Sequence, residues 1–332
     1  MSVLDELRAP VVLAPLAGGP STPELAAAVA EAGGLGFVAA GYLSAADLEE
    51  RIDRTRSLTG GPIGVNLFVP GAGSTESAVY APFVARLRAW ADERELPVGE
   101  ARDSDDDWDA KLEVVARERV PVVSFTFGCP AGAVIRELQG GGAEVWVTIT
   151  SVEEALDAEQ AGADVLVVQG AEAGGHRGSF SDRPDLRPIS LLPLLALVAD
   201  RSTRPLVASG GIAVGDTLAA VLVAGAAAAQ IGTAFMLCAE AGTSEAHRQA
   251  IRGRGDTALT RAFTGRLARG IRNEFMDAHD ADAPIAYPEL HYVTAPLRRQ
   301  GREDGNAELV NLWAGEAHSL ARELPAGESS IC

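Results

Sequence analysis

Five histidines occur in the chain, at positions 176, 247, 279, 291 and 318. Only His176 sits among glycines, in the run Ala171–Glu172–Ala173–Gly174–Gly175–His176–Arg177–Gly178. Glycine on both sides permits a sharp turn that presents the imidazole. Its ordinary pKa suits a general base or an electrostatic contact to substrate. The other four lie in the charged C-terminal third and are expected on solvated surface.

Three amides, Asn66, Gln169 and Gln230, each fall at the end of a short apolar run. A buried amide without partners costs about 2 kcal/mol or more, so each needs hydrogen bonds. For one amide, bonding to nearby backbone is explanation enough. Three at equivalent positions fit a polar ring system with donors and acceptors on one edge, as flavin has. The polar positions Ser124, Thr126, Thr148 and Thr150 end two further runs.

Ser209–Gly210–Gly211 and Gly232–Thr233 follow the last two apolar runs. Glycine turns there can hold phosphate on backbone N–H groups. They can equally be plain tight turns, and phosphate alone fits a sugar-phosphate enzyme as well as FMN. Cys129, in Phe127–Gly128–Cys129–Pro130, is read as a small packing residue because no activating base accompanies it. No His, Cys, Asp or Glu group has metal-ligand spacing, so no metal is expected.

The elements that must position these residues repeat as short apolar run, glycine-rich turn, helical stretch. Runs buried on both faces lose alternation and read as parallel strands. They are Val11–Leu13, Leu35–Ala39, Ile63–Leu67, Val122–Phe125, Glu144–Ile149, Val165–Gln169, Pro205–Ser209 and Ala228–Gly232. Eight strands alternating with helices predict a (β/α)8 TIM barrel, with chemistry at the C-terminal strand ends. An open doubly wound sheet is the rival, but the turn after the first strand lacks Gly-x-Gly-x-x-Gly spacing. After Phe235 the rhythm stops. Glu240–His279 reads as helical with no clear strand, Ala283–Thr294 as loop, and Leu297–Arg322 as helical. The expected organisation is a barrel over 1–239, a small helical insertion over 240–295, and a C-terminal helical segment over 296–332 that packs back on the barrel.

The 332 residues carry 28 basic and 46 acidic side chains, a net charge of −18. That field repels nucleic acid and anionic membranes, so neither is an expected partner. Cys129, Cys238 and Cys332 form no pairing motif, and the N-terminus lacks an apolar signal core. A cytoplasmic protein is expected, with no transmembrane helix. Lys111 is the only lysine; it reads as compositional bias in a helix.

Taken together the motifs resemble the nitronate monooxygenases, formerly 2-nitropropane dioxygenases. The matching stretches are APLAGG (14–19), GVNLF (64–68), VSFTFGCP (123–130), QGAEAGGHRG (169–178), ASGGI (208–212), QIGTAF (230–235) and AFTGRLARGIRN (262–273). They span nearly the whole chain. The resemblance implies FMN held by Ala14, Pro15, Leu16, Asn66, Gln169, Gly174, Ser209, Gly210, Gly211, Gln230, Gly232 and Thr233. It implies that His176 is catalytic, with Thr126 and Tyr287 as substrate contacts. Leu16 replaces a methionine common in the family. Thr126 stands where some members have a second active-site histidine, so a hydroxyl replaces an imidazole there.

The implied reaction is oxidation of an alkyl nitronate, or a nitroalkane, by dioxygen to a carbonyl compound and nitrite. A homodimer is one assembly this allows. Because the chain is acidic, an anionic substrate requires local positive features, of which helix N-termini, His176 and Arg177 are the ones in view. The alternatives are an FMN-dependent NAD(P)H:quinone reductase or enoyl-acyl-carrier-protein reductase on the same barrel. From another class comes a flavin-free phosphate-binding lyase or synthase.

Overall fold

The first strand, β1 (Val11–Leu13), is fully buried and is followed by a helix over Pro23–Glu31 whose N-terminus Thr22 caps. The same unit repeats round a barrel in the computed structural model, which describes residues 2–71, 74–253 and 255–328. Its strands continue as β2 (Gly36–Ala39), β3 (Ile63–Phe68), β4 (Val122–Thr126), β5 (Glu144–Ile149) and β6 (Val165–Gln169). A two-residue strand, β7 (Gly175–His176), lies outside the barrel; β8 (Leu206–Ser209) and β9 (Ala228–Ile231) complete it. The order β1-β9-β8-β6-β5-β4-β3-β2 is parallel throughout, and a bridge between Val12 and Leu35 joins its two ends. This is the predicted eight-stranded α/β barrel. Cys332 lies outside the described residues.

Side-chain alternation divides the barrel wall. Val11 and Leu13 pack outward with Leu25 and Val29 of the helix Pro23–Glu31. Val12, Phe37, Val122, Trp146, Val165, Val167 and Val207 form a separate inner cluster. Phe37 and Trp146 fill this interior with ring centroids 5.9 Å apart. Gly64 makes room for them, since a Cβ there would lie 2.6 Å from the Phe37 ring. Burying each such aromatic contributes about 2–3 kcal/mol.

The C-terminal third departs from expectation. Helices form at Glu245–Arg252 and Glu274–His279, but β10 (Thr257–Thr260) and β11 (Ala268–Ile271) lie between them. These strands pair antiparallel, and β11 also pairs with β7. The segment is therefore not wholly helical. Its strand Ala–Arg–Gly–Ile has weak intrinsic preference and depends on a tertiary partner that local pattern cannot show. The last long helix runs Glu289–Glu303, not Leu297–Arg322; short 3-10 turns and irregular chain follow it. A helix at Gly132–Gly140, between β4 and β5, also had no counterpart in the sequence reading. Among the described residues no helix is long and apolar enough to cross a membrane.

Candidate functional site

Continuing the inward positions up each strand carries them from apolar to polar. Val12 gives way to Ala14, Gly64 to Asn66, Val122 to Ser124 and Thr126, Trp146 to Thr148. Likewise Val167 gives way to Gln169, Val207 to Ser209, and Ala228 to Gln230. Register sets Asn66 beside Ser124, Gln169 beside Ser209, and Ser209 beside Gln230. This polar rim opens into a cavity of about 490 Å³ at the C-terminal ends of the strands. Asn66 donates to the Ser124 hydroxyl at 2.8 Å and to the Thr126 hydroxyl at 3.0 Å. Gln169 accepts from the Gly178 N–H at 2.8 Å and donates to the His176 carbonyl at 3.0 Å, which ties the histidine loop to the rim. Gln230 also lines the cavity, and its amide has no protein partner among the described residues.

The two late glycine turns face the same space. Gly210 and Gly211 have φ of 116° and 71°, a left-handed region that strains other residues. The backbone N–H groups of Gly210, Gly211, Gly232 and Thr233 donate to no protein acceptor among the described residues. Four unspent donors on neighbouring turns suit a phosphate. With the polar rim beside them, the site fits a flat polar ring system ending in one phosphate, as in a flavin mononucleotide.

His176 is held on several sides. Its backbone pairs with Ala268 in β11, and its Nε2 lies 2.9 Å from the Thr264 hydroxyl. Phe127, Tyr287 and Trp313 surround the ring, with centroids 5.6, 5.6 and 5.5 Å away. Burial, then the nearby Arg266 and Arg298, push its pKa down to about 3. The imidazole is therefore neutral at neutral pH.

The cationic side chains correct two expectations. Arg177 is buried and turned away from the cavity; it donates to the Gly170 and Gln169 carbonyls and braces the loop. His176 carries no charge. Positive charge comes instead from the helix Glu289–Glu303, where Arg298 and Arg302 line the cavity. Arg266 stands behind the wall with its guanidinium 4.1 Å from the Phe127 ring centroid.

The surface reading of the other histidines is also overturned. His247, His279 and His318 are buried, and His291 stacks on Tyr42 with centroids 4.0 Å apart. Burial dominates in lowering the pKa of all four. Asp277 and Glu316, two positions before His279 and His318, are exposed while those imidazoles pack inward, whereas Glu289 beside His291 is itself buried.

Of the residues singled out from sequence, Ala14, Pro15, Leu16, Asn66, Thr126 and Gln169 line the cavity. So do Gly174, His176, Ser209, Gly210, Gly211, Gln230, Gly232 and Thr233. Tyr287 does not reach the lining; it backs the His176 ring and donates to the Tyr42 hydroxyl at 3.1 Å. Tyr42, Thr264, His291, Arg298, Asn311 and Trp313 line the wall without having been foreseen. One signal was available: positions 291, 295, 298 and 302 share one face of a helix. Reading 283–294 as loop hid it. Cys129 is half-buried, and burial lifts its thiol to about 11, which suits packing rather than nucleophilic work.

The chain matches the protein-family model described as "Nitronate monooxygenase" over residues 2–329. A probable nitronate monooxygenase of Staphylococcus saprophyticus is 40% identical over 337 residues, covering 97% of this chain and 93% of the relative. One of Staphylococcus aureus (strain Newman) is 37% identical over 325 residues, covering 96% and 91%. The solved nitroalkane oxidase of Streptomyces ansochromogenes superimposes with TM-score 0.94 at 47% identity, over 98% of this chain and 94% of that one.

Proposed function

The chain belongs to the nitronate monooxygenase family, and from that premise we propose that its cavity binds FMN and oxidises alkyl nitronates with dioxygen. The products are a carbonyl compound and nitrite. FMN, when bound, supplies the electron chemistry between substrate and dioxygen; the protein supplies position and charge. The observation that carries the reading is the meeting, in one cavity, of a polar rim, four unspent N–H donors and a neutral imidazole.

Gly210, Gly211, Gly232 and Thr233 hold the phosphate on backbone N–H groups, with Ser209 beside them. Gln230, Asn66, Gln169 and the Ala14–Leu16 backbone hold the ring system, and Gly174 lets the chain pass close. A Cβ on Gly174 would lie 2.5 Å from the Ala314 carbonyl carbon, so no larger residue fits. Phe68, Phe127, Tyr42 and Trp313 form the apolar wall that excludes water from substrate.

His176 works as a neutral group. We assign the Thr264 hydroxyl as donor to the Arg266 carbonyl at 3.3 Å, which makes its oxygen the acceptor for His176 Nε2–H. That tautomer leaves the Nδ1 lone pair to take the α-proton of a neutral nitroalkane, or to accept a hydrogen bond. Thr126 offers a hydroxyl to substrate, already held by Asn66. Tyr287 acts on substrate only through His176 and Tyr42. A cytoplasmic setting belongs to the same reading.

Two assays test it. Heat-released flavin should run as FMN on chromatography, and ethyl nitronate with air should yield nitrite. Release of FAD would remove the cofactor assignment. Absence of nitrite from flavin-loaded protein would remove the reaction.

A further inference from the structure

A chain of net charge −18 has to admit an anion, yet the groups foreseen as attracting it do not serve. His176 is neutral, and Arg177 donates to the Gly170 and Gln169 carbonyls and does not line the cavity. What remains is one face of the helix Glu289–Glu303, where His291, Ala295, Arg298 and Arg302 all line the cavity. Arg302 is exposed at the rim and Arg298 is 6% exposed inside.

Arg298 is an unusual buried cation. No carboxylate pairs with it among the described residues. Its Nε donates to the Thr294 hydroxyl at 3.0 Å, and its Nη2 to the His291 carbonyl at 2.7 Å with His291 Nδ1 at 3.3 Å. Its Nη1 has only the Asn311 side-chain oxygen, at 3.5 Å, the edge of a hydrogen bond. Guanidinium presents two N–H groups at Nη1, so donor capacity is left on the side that includes Asn311, itself a cavity residue. Burial of a charge without a counter-ion is costly. Here the neutral partners fix the guanidinium plane while leaving the charge uncompensated.

We propose that Arg298 is the residue that binds the anionic oxygens of the nitronate, with Arg302 drawing the anion in from the rim. This rests on the nitronate reading above and assigns its charge recognition to α-helical residues beyond the barrel. Arg298 then sets preference for the nitronate over its uncharged parent nitroalkane. His176 handles the proton and Arg298 handles the charge.

The experiment compares ethyl nitronate with neutral nitroethane in wild-type, Arg298→Met and Arg298→Lys proteins. Flavin absorbance and thermal midpoint serve as controls of the loaded fold. Truncating one member of a buried charge contact typically weakens it ~30-fold or more. Arg298→Met should therefore lower kcat/KM on ethyl nitronate by ~30-fold or more, chiefly through KM; on nitroethane, which becomes the same anion once His176 removes its proton, the loss should fall on kcat with KM changed less than ~3-fold. Arg298→Lys keeps the charge but loses the planar fork; it should show the same selective rise in nitronate KM, smaller in size. A rise in nitroethane KM as large as that in nitronate KM, or an unchanged nitronate KM in either variant, would overturn the assignment. If Arg298→Met does not fold, the lysine variant decides. Wild-type protein inert toward ethyl nitronate would instead defeat the nitronate reading itself, a separate outcome.

Discussion

His176 Nε2 and the Thr264 hydroxyl stand 2.9 Å apart, with Thr264 on the short segment that leads into β11 and His176 on β7, which pairs with it. The histidine is thus oriented from outside the barrel, by chain that comes some ninety positions later. Thr264→Val keeps the shape and removes the hydroxyl that partners Nε2. It should cut turnover of neutral nitroalkane by ~10-fold or more and leave bound flavin in place, while Thr264→Ser should restore most of the rate. Steady-state kinetics on the three proteins, with flavin content measured alongside, checks this.

His176→Asn should keep the yellow flavin spectrum, because ring and phosphate have other partners. It should lose nitroalkane activity by ~10²–10⁴-fold, the usual weight of a positioned base. On preformed nitronate the loss is expected to be smaller, since the proton is already gone. Near wild-type rates on both forms would make His176 a turn residue.

Stability should fall on acidification. His247 is buried and His176 and His291 half-buried, with folded pKa values below the ordinary 6.5: about 3 for His176, about 4 for His247 and well below it for His291. Their unfolded forms bind protons first as pH drops through 6.5, so stability is present above that pH and lost below it. Each contributes a slope of about 1.4 kcal/mol per pH unit until its folded pKa is reached. Thermal midpoints taken from pH 7.5 down to 4.5 should decline steadily. Replacing His247 with Gln should flatten the decline, and an unchanged slope in that variant would refute the linkage.

Gly210→Ala tests the phosphate turn. Gly210 has φ of 116°, and an added Cβ would lie 3.0 Å from the Ala173 backbone nitrogen. The turn must shift, which moves its free N–H groups. Flavin affinity measured by titration of stripped protein should weaken ~10-fold or more with little change in the far-ultraviolet spectrum. Unaltered affinity would take the phosphate elsewhere.

The barrel was legible because its signal is local. Val11–Leu13, Glu144–Ile149 and Val165–Gln169 are strands whose ends fall where their apolar runs end. The rim was legible too, because Asn66, Gln169 and Gln230 break apolar runs at equivalent points. The far wall was not. Arg298, His291 and Trp313 become site residues only through packing of a late helix and the irregular chain after it. Charged neighbours in sequence made His291 resemble surface. Lys111 shows the same limit. It read as bias, yet it is 1% exposed, pairs with Asp106 at 2.7 Å and donates to the Ala40 carbonyl at 3.0 Å. Asp106 in turn accepts the Tyr42 N–H at 2.8 Å, holding that ring at the cavity in a left-handed backbone conformation. Contacts of such sequence separation leave no periodic trace.

On the proposed function this cavity passes electrons from a nitronate, not from a nicotinamide, through FMN to dioxygen. The most direct measurement mixes the flavin-loaded protein with ethyl nitronate, and separately with NADH or NADPH, without oxygen, then admits air. The nitronate should reduce the flavin absorbance, air should restore it with nitrite formed, and neither nicotinamide should do so at a comparable rate. Rapid bleaching by NADH or NADPH with no response to nitronate would contradict it, as would a colourless protein that FMN cannot reconstitute.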